Sequence, residues 1–314
     1  MAKNTERKSG KWTFIIVVLV VLTLISFIFA GFVSLFIDVD LDSLSGNVAL
    51  IKIKGPIVGE KGGGLLFEDV TSSNEIRRLV RRADKNPNIK AIIFEINSPG
   101  GTAVASDEIA EAVKKTNKTT VAWIREIGTS GAYWIASATD EIVANRMSIT
   151  GSIGVIASYL QFGDFLTDHN VSYERLVSGQ FKDIGSPFKD LTPKERALFQ
   201  KSINKIHDYF VEEVATNRNL KKKDVEKLAS GLFYIGSEAK ELGLVDTLGG
   251  RDEVIEYIEQ ELDIEVEIVR YRRERSFLDV FADVSSQQSF YIGRGIASGF
   301  FTKAKLADSV SILT

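Results

Sequence analysis

The 314-residue chain has no cysteine and only two histidines, and its 39 basic against 42 acidic side chains leave it at net −3. The missing cysteines exclude a thiol nucleophile, a thiolate zinc site and a disulfide framework. The acidic balance argues against nucleic acid as a partner.

The chain opens with Lys3, Arg7, Lys8 and Lys11 against a single Glu6. Residues 14–37, FIIVVLVVLTLISFIFAGFVSLFI, then carry no charge. At ~1.5 Å per residue they make about 36 Å of helix, enough to cross a ~30 Å hydrocarbon core with some tilt. A cleaved signal peptide has a shorter apolar core and a small-residue cleavage site, which Phe29-Ala30-Gly31 matches poorly. An uncleaved transmembrane anchor is therefore expected. Asp38, Asp40 and Asp42 follow it. Because positive charge stays cytoplasmic, residues 1–13 form a cytoplasmic tail and residues 38–314 lie outside the cytoplasm.

Beyond the anchor, Val48–Ile53 reads as a strand ended by Gly55-Pro56, and Glu60–Gly64 as a loop. Asn74–Asp84 reads as a helix with Ile76, Leu79, Val80 and Ala83 on one face. Ala91–Ile96 has the continuous apolar character of a buried strand and runs into the turn Asn97-Ser98-Pro99-Gly100-Gly101. Ser106–Thr116 is helical, and Val121–Ile124 is the next strand. Gly131–Ala138 reads as a helix, Glu141–Ala144 and Ser152–Ile156 as strands, Tyr159–Asp168 as a helix and Tyr173–Val177 as a strand. Ser178–Leu191 shows no clear period. At Thr192 a helix begins with a capping threonine, Pro193 at the first helical position and Glu195 completing a capping box, and it runs to about Asn217. Asp224–Ala229, Ser237–Leu242 and Asp252–Leu262 are helices, and Glu265–Tyr271 a strand. Such alternation indicates an α/β domain with a largely parallel sheet over residues 38–271. Residues 272–314 are expected to be a tail that contacts another subunit or the membrane, or that stays loosely ordered.

Three segments could carry chemistry. The first is the turn at 98–101. A strand ending in two glycines before a helix exposes backbone N–H groups that can bind an oxyanion; it is equally the sequence of a tight turn needing positive φ. The second is Ser130, in Gly128-Thr129-Ser130-Gly131-Ala132, where small neighbours leave room for a carbonyl to approach. It is also a good helix N-cap, and both readings can hold together. A GxSxG elbow is absent, since glycine directly follows the serine. His169, at the end of a predicted helix, and His207, inside another, make a Ser-His-Asp triad a weak fit. Lysine is the remaining common base for a serine. The third segment contains Lys182, between Phe181 and Ile184. A lysine base must be largely neutral, with a pKa near 7–8 instead of about 10.4, a shift of ~4 kcal/mol that desolvation can supply. Asp183 would oppose this unless it pointed away. The alternative is a solvated loop lysine. Ser152, in Thr150-Gly151-Ser152-Ile153-Gly154, could orient the amine or simply begin a strand.

These segments, in this order, resemble the signal peptide peptidase A family of membrane-anchored serine proteases. The matches are residues 96–101 (INSPGG), 129–134 (TSGAYW), 150–155 (TGSIGV), 178–183 (SGQFKD), 243–246 (GLVD) and 248–250 (LGG). Family members often have alanine before the serine and glycine two places after it, where this chain has Thr129 and Ala132. The resemblance implies a ClpP/crotonase-like spiral of ββα units. It implies Ser130 as nucleophile, Lys182 as general base, oxyanion donors at the Gly101 and Gly131 amides, and Ser152 beside the lysine. It also implies one domain per chain, assembly into a homo-oligomeric ring whose site can draw on two subunits, and no metal or cofactor. Substrates would be signal-peptide remnants and other apolar peptides near the membrane. The rival readings are a non-catalytic assembly protein, a stomatin-operon type of membrane protease, which would carry further C-terminal transmembrane helices, and an acyl-CoA enzyme of the same fold, which an exported domain could not supply with CoA.

Overall fold

A computed structural model of the chain describes residues 6–36, 46–60 and 70–272. The expected C-terminal tail beyond Arg272, Asp38, Asp40 and Asp42, and all but the first residue of the Glu60–Gly64 loop lie outside these residues. The chain divides into two units, of which one contains helix α1 (Glu6–Phe36) and the other, Asp42–Arg272, contains every other element. Within α1, Trp12–Phe29 is long and apolar enough to cross a membrane.

The second unit begins with β1 (Val48–Lys54), β2 (Ile57–Val58), β3 (Thr71–Ser72), α2 (Ser73–Lys85), β4 (Ala91–Ser98) and α3 (Ala103–Lys114). It continues with β5 (Thr119–Thr129), α4 (Gly131–Ser137), β6 (Glu141–Ala144), β7 (Ile149–Gly151), α5 (Gly163–Asp168) and α6 (Pro193–Asn217). It closes with α7 (Lys222–Leu228), β8 (Phe233–Ile235), α8 (Gly236–Glu241), β9 (Thr247–Leu248), α9 (Arg251–Leu262) and β10 (Ile268–Tyr271). Six strands, in the order β10-β1-β4-β5-β6-β9, pair in parallel. This is the expected α/β class with strands and helices in alternation.

The sheet is covered on both faces, which explains why β4 reads as an unbroken apolar run. Successive side chains of a strand point to opposite faces. Ile92, Phe94 and Ile96 join one core with Ile76 and Val80 of α2, Ile109 and Val113 of α3 and Ile135 of α4. Ala91 and Ile93 join another with Val48, Leu50, Val121 and Val143, packed against Val254 and Ile258 of α9. Each such aliphatic or aromatic side chain contributes about 1.5–3 kcal/mol by leaving water.

The strands that matter most for the site change partners partway along. β5 pairs with β6 through Val121–Ile124 and then with β7 through Ile127–Thr129. The β4–β5 register shifts between Ile96 and Ser98. Beyond that shift a second row of pairing runs Ser98–Gly128–Thr150–Tyr234 across β4, β5, β7 and β8. Ile57 also bridges to Gly101. Each long strand thus ends in a short second segment before its helix, the ββα succession of the expected spiral, and these second segments deliver residues 98–101, 130 and 152.

Three predicted elements are corrected. Ser152–Ile156 is not a strand; the strand is β7, and it stops because Gly151 (φ 75°) and Ser152 (φ 50°) turn the chain out of the sheet. Tyr173–Val177 forms no strand, and the helix expected at Tyr159–Asp168 is confined to α5. Apolar content there does not mean burial, since Ile156, Leu160, Tyr173 and Leu176 are all exposed. The capping box of α6 forms as expected, with the Glu195 amide donating to Thr192 Oγ1 and the Thr192 amide to Glu195 Oε2.

The C-terminal end of α6 is tied to the sheet by Arg218. Its guanidinium donates to both carboxylate oxygens of Asp246, at 2.8 Å for Oδ2, and to Gly243 O at 3.2 Å. Asp246 Oδ2 in turn accepts the Ile142 amide of β6 at 2.9 Å. Removing one partner of such a part-buried pair leaves the other charge without its main compensation. Arg218→Ala is therefore expected to lower unfolding stability by about 3 kcal/mol, read as a fall in the urea midpoint with the slope unchanged.

Candidate active site

β5 ends at Thr129 and α4 begins at Gly131, so Ser130 is the whole strand-to-helix turn. It sits at φ 53°, ψ −126°. A residue with a Cβ adopts such a conformation at a cost of order 1–3 kcal/mol, and keeps it only when its surroundings enforce it. Those surroundings are visible. The Ser130 amide donates to Gly151 O at 2.8 Å, and its carbonyl accepts the Trp134 amide at 3.0 Å. The hydroxyl does not cap α4, so the structural alternative read from the sequence is not realised and Oγ is left for other work.

The aromatic pair after the serine anchors the helix. Tyr133 is fully buried, donates its hydroxyl to Leu244 O at 2.9 Å, and has its phenol pKa pushed up by burial. Trp134 stacks on Phe210 of α6 with centroids 4.7 Å apart, worth about 0.5–1.5 kcal/mol beyond the area buried.

The two glycine amides expected to hold an oxyanion come together. A Cβ built on Gly131 would lie 3.3 Å from the Gly101 nitrogen and 2.1 Å from Ser106 Oγ. One built on Gly100, at φ 96°, would lie 2.7 Å from Gly131 N, 2.8 Å from Thr129 O and 2.9 Å from Ser130 Cβ. The 98–101 turn and the serine turn therefore touch backbone to backbone, which only glycine permits. Among the described residues neither the Gly101 nor the Gly131 amide has a hydrogen-bond acceptor. Two donors beside a free hydroxyl are the geometry that acyl transfer requires.

Ser152 adjoins this group through the chain, because Gly151 holds the Ser130 amide. It has φ 50°, its amide donates to Leu232 O at 2.9 Å and its Oγ to Gly231 O at 3.2 Å. That bond uses the one hydroxyl proton and leaves oxygen lone pairs to accept from an amine.

Lys182 stands apart. It lies on a turn, its amide donating to Gly179 O at 3.1 Å, and its side chain is exposed. No hydrogen bond joins it to Ser130 or Ser152 within the chain. Phe181 and Ile184, read as its apolar cover, are only half-buried, and Lys194 Nζ lies 5.2 Å from the Phe181 ring centroid. Asp183 does point elsewhere: it accepts from Arg175 Nη2 at 2.8 Å and lies 3.7 Å from Lys189 Nζ. The Arg175 hydrogen bond holds the Asp183 carboxyl down at about 2. Lys189 also donates to Glu195 at 2.7 Å and holds that carboxyl at about 2. The Lys182 turn is thus fastened to the start of α6 by ion pairs while its own amine projects outward.

Neither histidine competes as the base. His207 Nε2 is 2.9 Å from Ala229 O, and His169 Nδ1 is 2.8 Å from Phe165 O. The turn at 98–101 reads from the sequence as an oxyanion site without separate roles for Ser98 and Gly100, and Ser106 is not singled out there. Their signal was the glycine pair itself, since close backbone approach needs partners on the other side.

Residues 112–265 match the model of peptidase family S49. A Methanocaldococcus jannaschii protein named provisionally as a protease is 30% identical over 257 residues, covering 81% of this chain and 82% of that one. An Enterococcus faecium protein named, also provisionally, as the signal peptide peptidase SppA is 29% identical over 277 residues, covering 86% and 78%. Among solved structures, a variant of the 1510-N membrane-bound stomatin-specific protease in complex with a substrate peptide matches at a TM-score of 0.48 and 16% identity, over 77% of this chain and 99% of that one.

The contact between the two turns generates a stability prediction. Gly100→Ala forces a Cβ against three backbone or near-backbone atoms at positive φ and should cost about 2–4 kcal/mol. Gly59→Ala, where the new Cβ would meet nothing within 4 Å, should leave the thermal midpoint unchanged. Equal midpoints for the two variants would contradict the close approach.

Proposed function

The chain belongs to peptidase family S49, the family of the signal peptide peptidases A, and is a protease; from that premise we propose that it is a membrane-anchored serine endopeptidase with a Ser130–Lys182 dyad. The observation that carries the reading is the left-handed Ser130, its hydroxyl uncommitted, with the Gly101 and Gly131 amides beside it. In this mechanism a neutral Lys182 takes the Ser130 proton as Oγ attacks a peptide carbonyl. The oxyanion is held by the two amides. The lysine ammonium then donates to the leaving amine, and water deacylates the ester by the same route.

Lys182 is exposed within one chain, so a neighbouring subunit is the proposed source of the amine. Two observations support this. The segment around 156–177 presents Ile156, Leu160, Phe165 and Leu176 to solvent, and exposed apolar side chains in such number suit a protein interface. Asp183 is held away by Arg175 and Lys189, which leaves the amine free to enter a partner's site and be desolvated there. Ser152 is then the residue that orients it.

The proposed setting is the outer face of a membrane. The basic N-terminus and the apolar α1 support a single-pass anchor with residues 38–314 on the extracytoplasmic side. An active site tethered to the bilayer meets apolar segments released there, so signal-peptide remnants and similar extended peptides are the proposed substrates.

Ser130→Ala and Lys182→Ala should each reduce peptide cleavage by about 10³-fold or more, with thermal midpoints unchanged because neither side chain is packed in a core. Mixing the two inactive variants as assembled subunits should restore a measurable fraction of activity, since some sites then combine an intact serine with an intact lysine. An assembly role without catalysis would survive Ser130→Ala.

A further inference from the structure

Ser98 is fully buried at the end of β4, and its hydroxyl makes two bonds. Oγ donates to Gly55 O at 2.6 Å and accepts the Gly100 amide at 3.1 Å. These bonds close a wider clamp between residues 55–57 and the turn at 98–102. The Gly55 amide donates to Asn97 O at 3.1 Å, the Ile57 amide to Gly100 O at 2.9 Å and the Thr102 amide to Ile57 O at 2.9 Å. A Cβ on Gly101 would strike Ile57 O at 1.9 Å, so the two segments are in contact along their backbones.

The clamp decides where one amide points. All described peptide bonds are trans, and in a trans peptide the N–H is antiparallel to the preceding C=O. Gly100 O is held on Ile57. The Gly101 N–H must therefore face the opposite side, where Gly131 lies. Ser98 fixes both ends of this arrangement, gripping Gly55 on one strand exit and Gly100 on the other. Without its hydroxyl, the Gly55 carbonyl and the Gly100 amide both lose the partners described above.

We infer that Ser98 is the positioning residue of the oxyanion site: it touches no substrate, and its hydroxyl holds the Pro99–Gly100 peptide on one side and Gly55 on the other, so that the Gly100–Gly101 peptide stays hydrogen-bonded to Ile57 and the Gly101 N–H is aimed where charge develops. The inference rests on Ser130 as nucleophile and on the Gly101 amide as donor. Losing a whole oxyanion donor costs about 10²–10³-fold in kcat, and misaiming one should cost less, roughly 10–100-fold. Because the donor is engaged mainly in the transition state, the loss should fall on kcat and not on KM.

The test uses the full chain in detergent, with kcat counted per site labelled by a fluorescent serine-directed phosphonate carried to completion. Ser98→Ala should show kcat per site lowered 10–100-fold and KM within about threefold of wild type. Ser98→Cys nearly preserves volume but is a poor hydrogen-bonding group, and should show a smaller loss in the same direction; it keeps the test decisive if the alanine variant does not fold. Wild-type kcat per labelled site in either folded variant, or a loss confined to KM, would overturn the inference. Ser130→Ala is run alongside. If it still cleaves or is still labelled, the nucleophile assignment has failed; if it is inert and unlabelled, the Ser98 result bears on the positioning role alone.

Discussion

The site depends on one close approach: the turn after β4 lies against the turn after β5 with no side chain between them. Gly100 and Gly131 supply the space, and any Cβ at either place would meet backbone or a buried hydroxyl within 3 Å. That contact puts the Gly101 and Gly131 amides side by side and leaves no room for a Cβ at position 100 beside Ser130. It also explains how a serine stays at φ 53°. The strain is local and of order 1–3 kcal/mol, whereas the sheet and helices holding the two turns bury many large aliphatic side chains, each contributing about as much. The scaffold outweighs the strain easily, so the serine cannot relax into an ordinary cap.

The sheet topology converts that scaffold into a site. Parallel strands place their C-terminal ends on one side, and the register shift between Ile96 and Ser98 lets each strand leave the main sheet for a second row of pairs. Residues 98, 128, 150 and 234 are neighbours in that row although they are far apart in sequence. The hydroxyls of Ser98, Ser106 and Thr150 bind backbone carbonyls there. Their bonds fix peptide planes, and in the proposed mechanism the amides of such planes are the oxyanion donors.

Much of this was legible in the sequence. The buried strands, the faces of α2 and α3, the capped start of α6 and the glycine-flanked serine follow from period and turn chemistry, which are local. What could not be read locally was lost in two ways. Ile156 to Val177 has the apolar content of strands and helices, yet Ile156, Leu160, Phe165 and Leu176 are exposed in the single chain, and apolar content alone does not say what a segment packs against. Ser98 and Ser106 look like ordinary polar residues near a turn; their importance appears only when a second segment, 55–57 or 131, is brought against them. For Lys182, the same residues that failed to bury it within the chain, Phe181 and Ile184, flank an amine whose acidic neighbour Asp183 is occupied by Arg175 and Lys189. In the proposed ring, its environment would come from the neighbouring subunit and not from the fold of one chain.

The most direct test of the account is to map, by mass spectrometry of the full chain, where a serine-directed phosphonate attaches. The adduct should sit on Ser130 in wild type and form far more slowly in Lys182→Ala. An adduct on another serine, or labelling of Ser130 at an undiminished rate without the lysine, would contradict it.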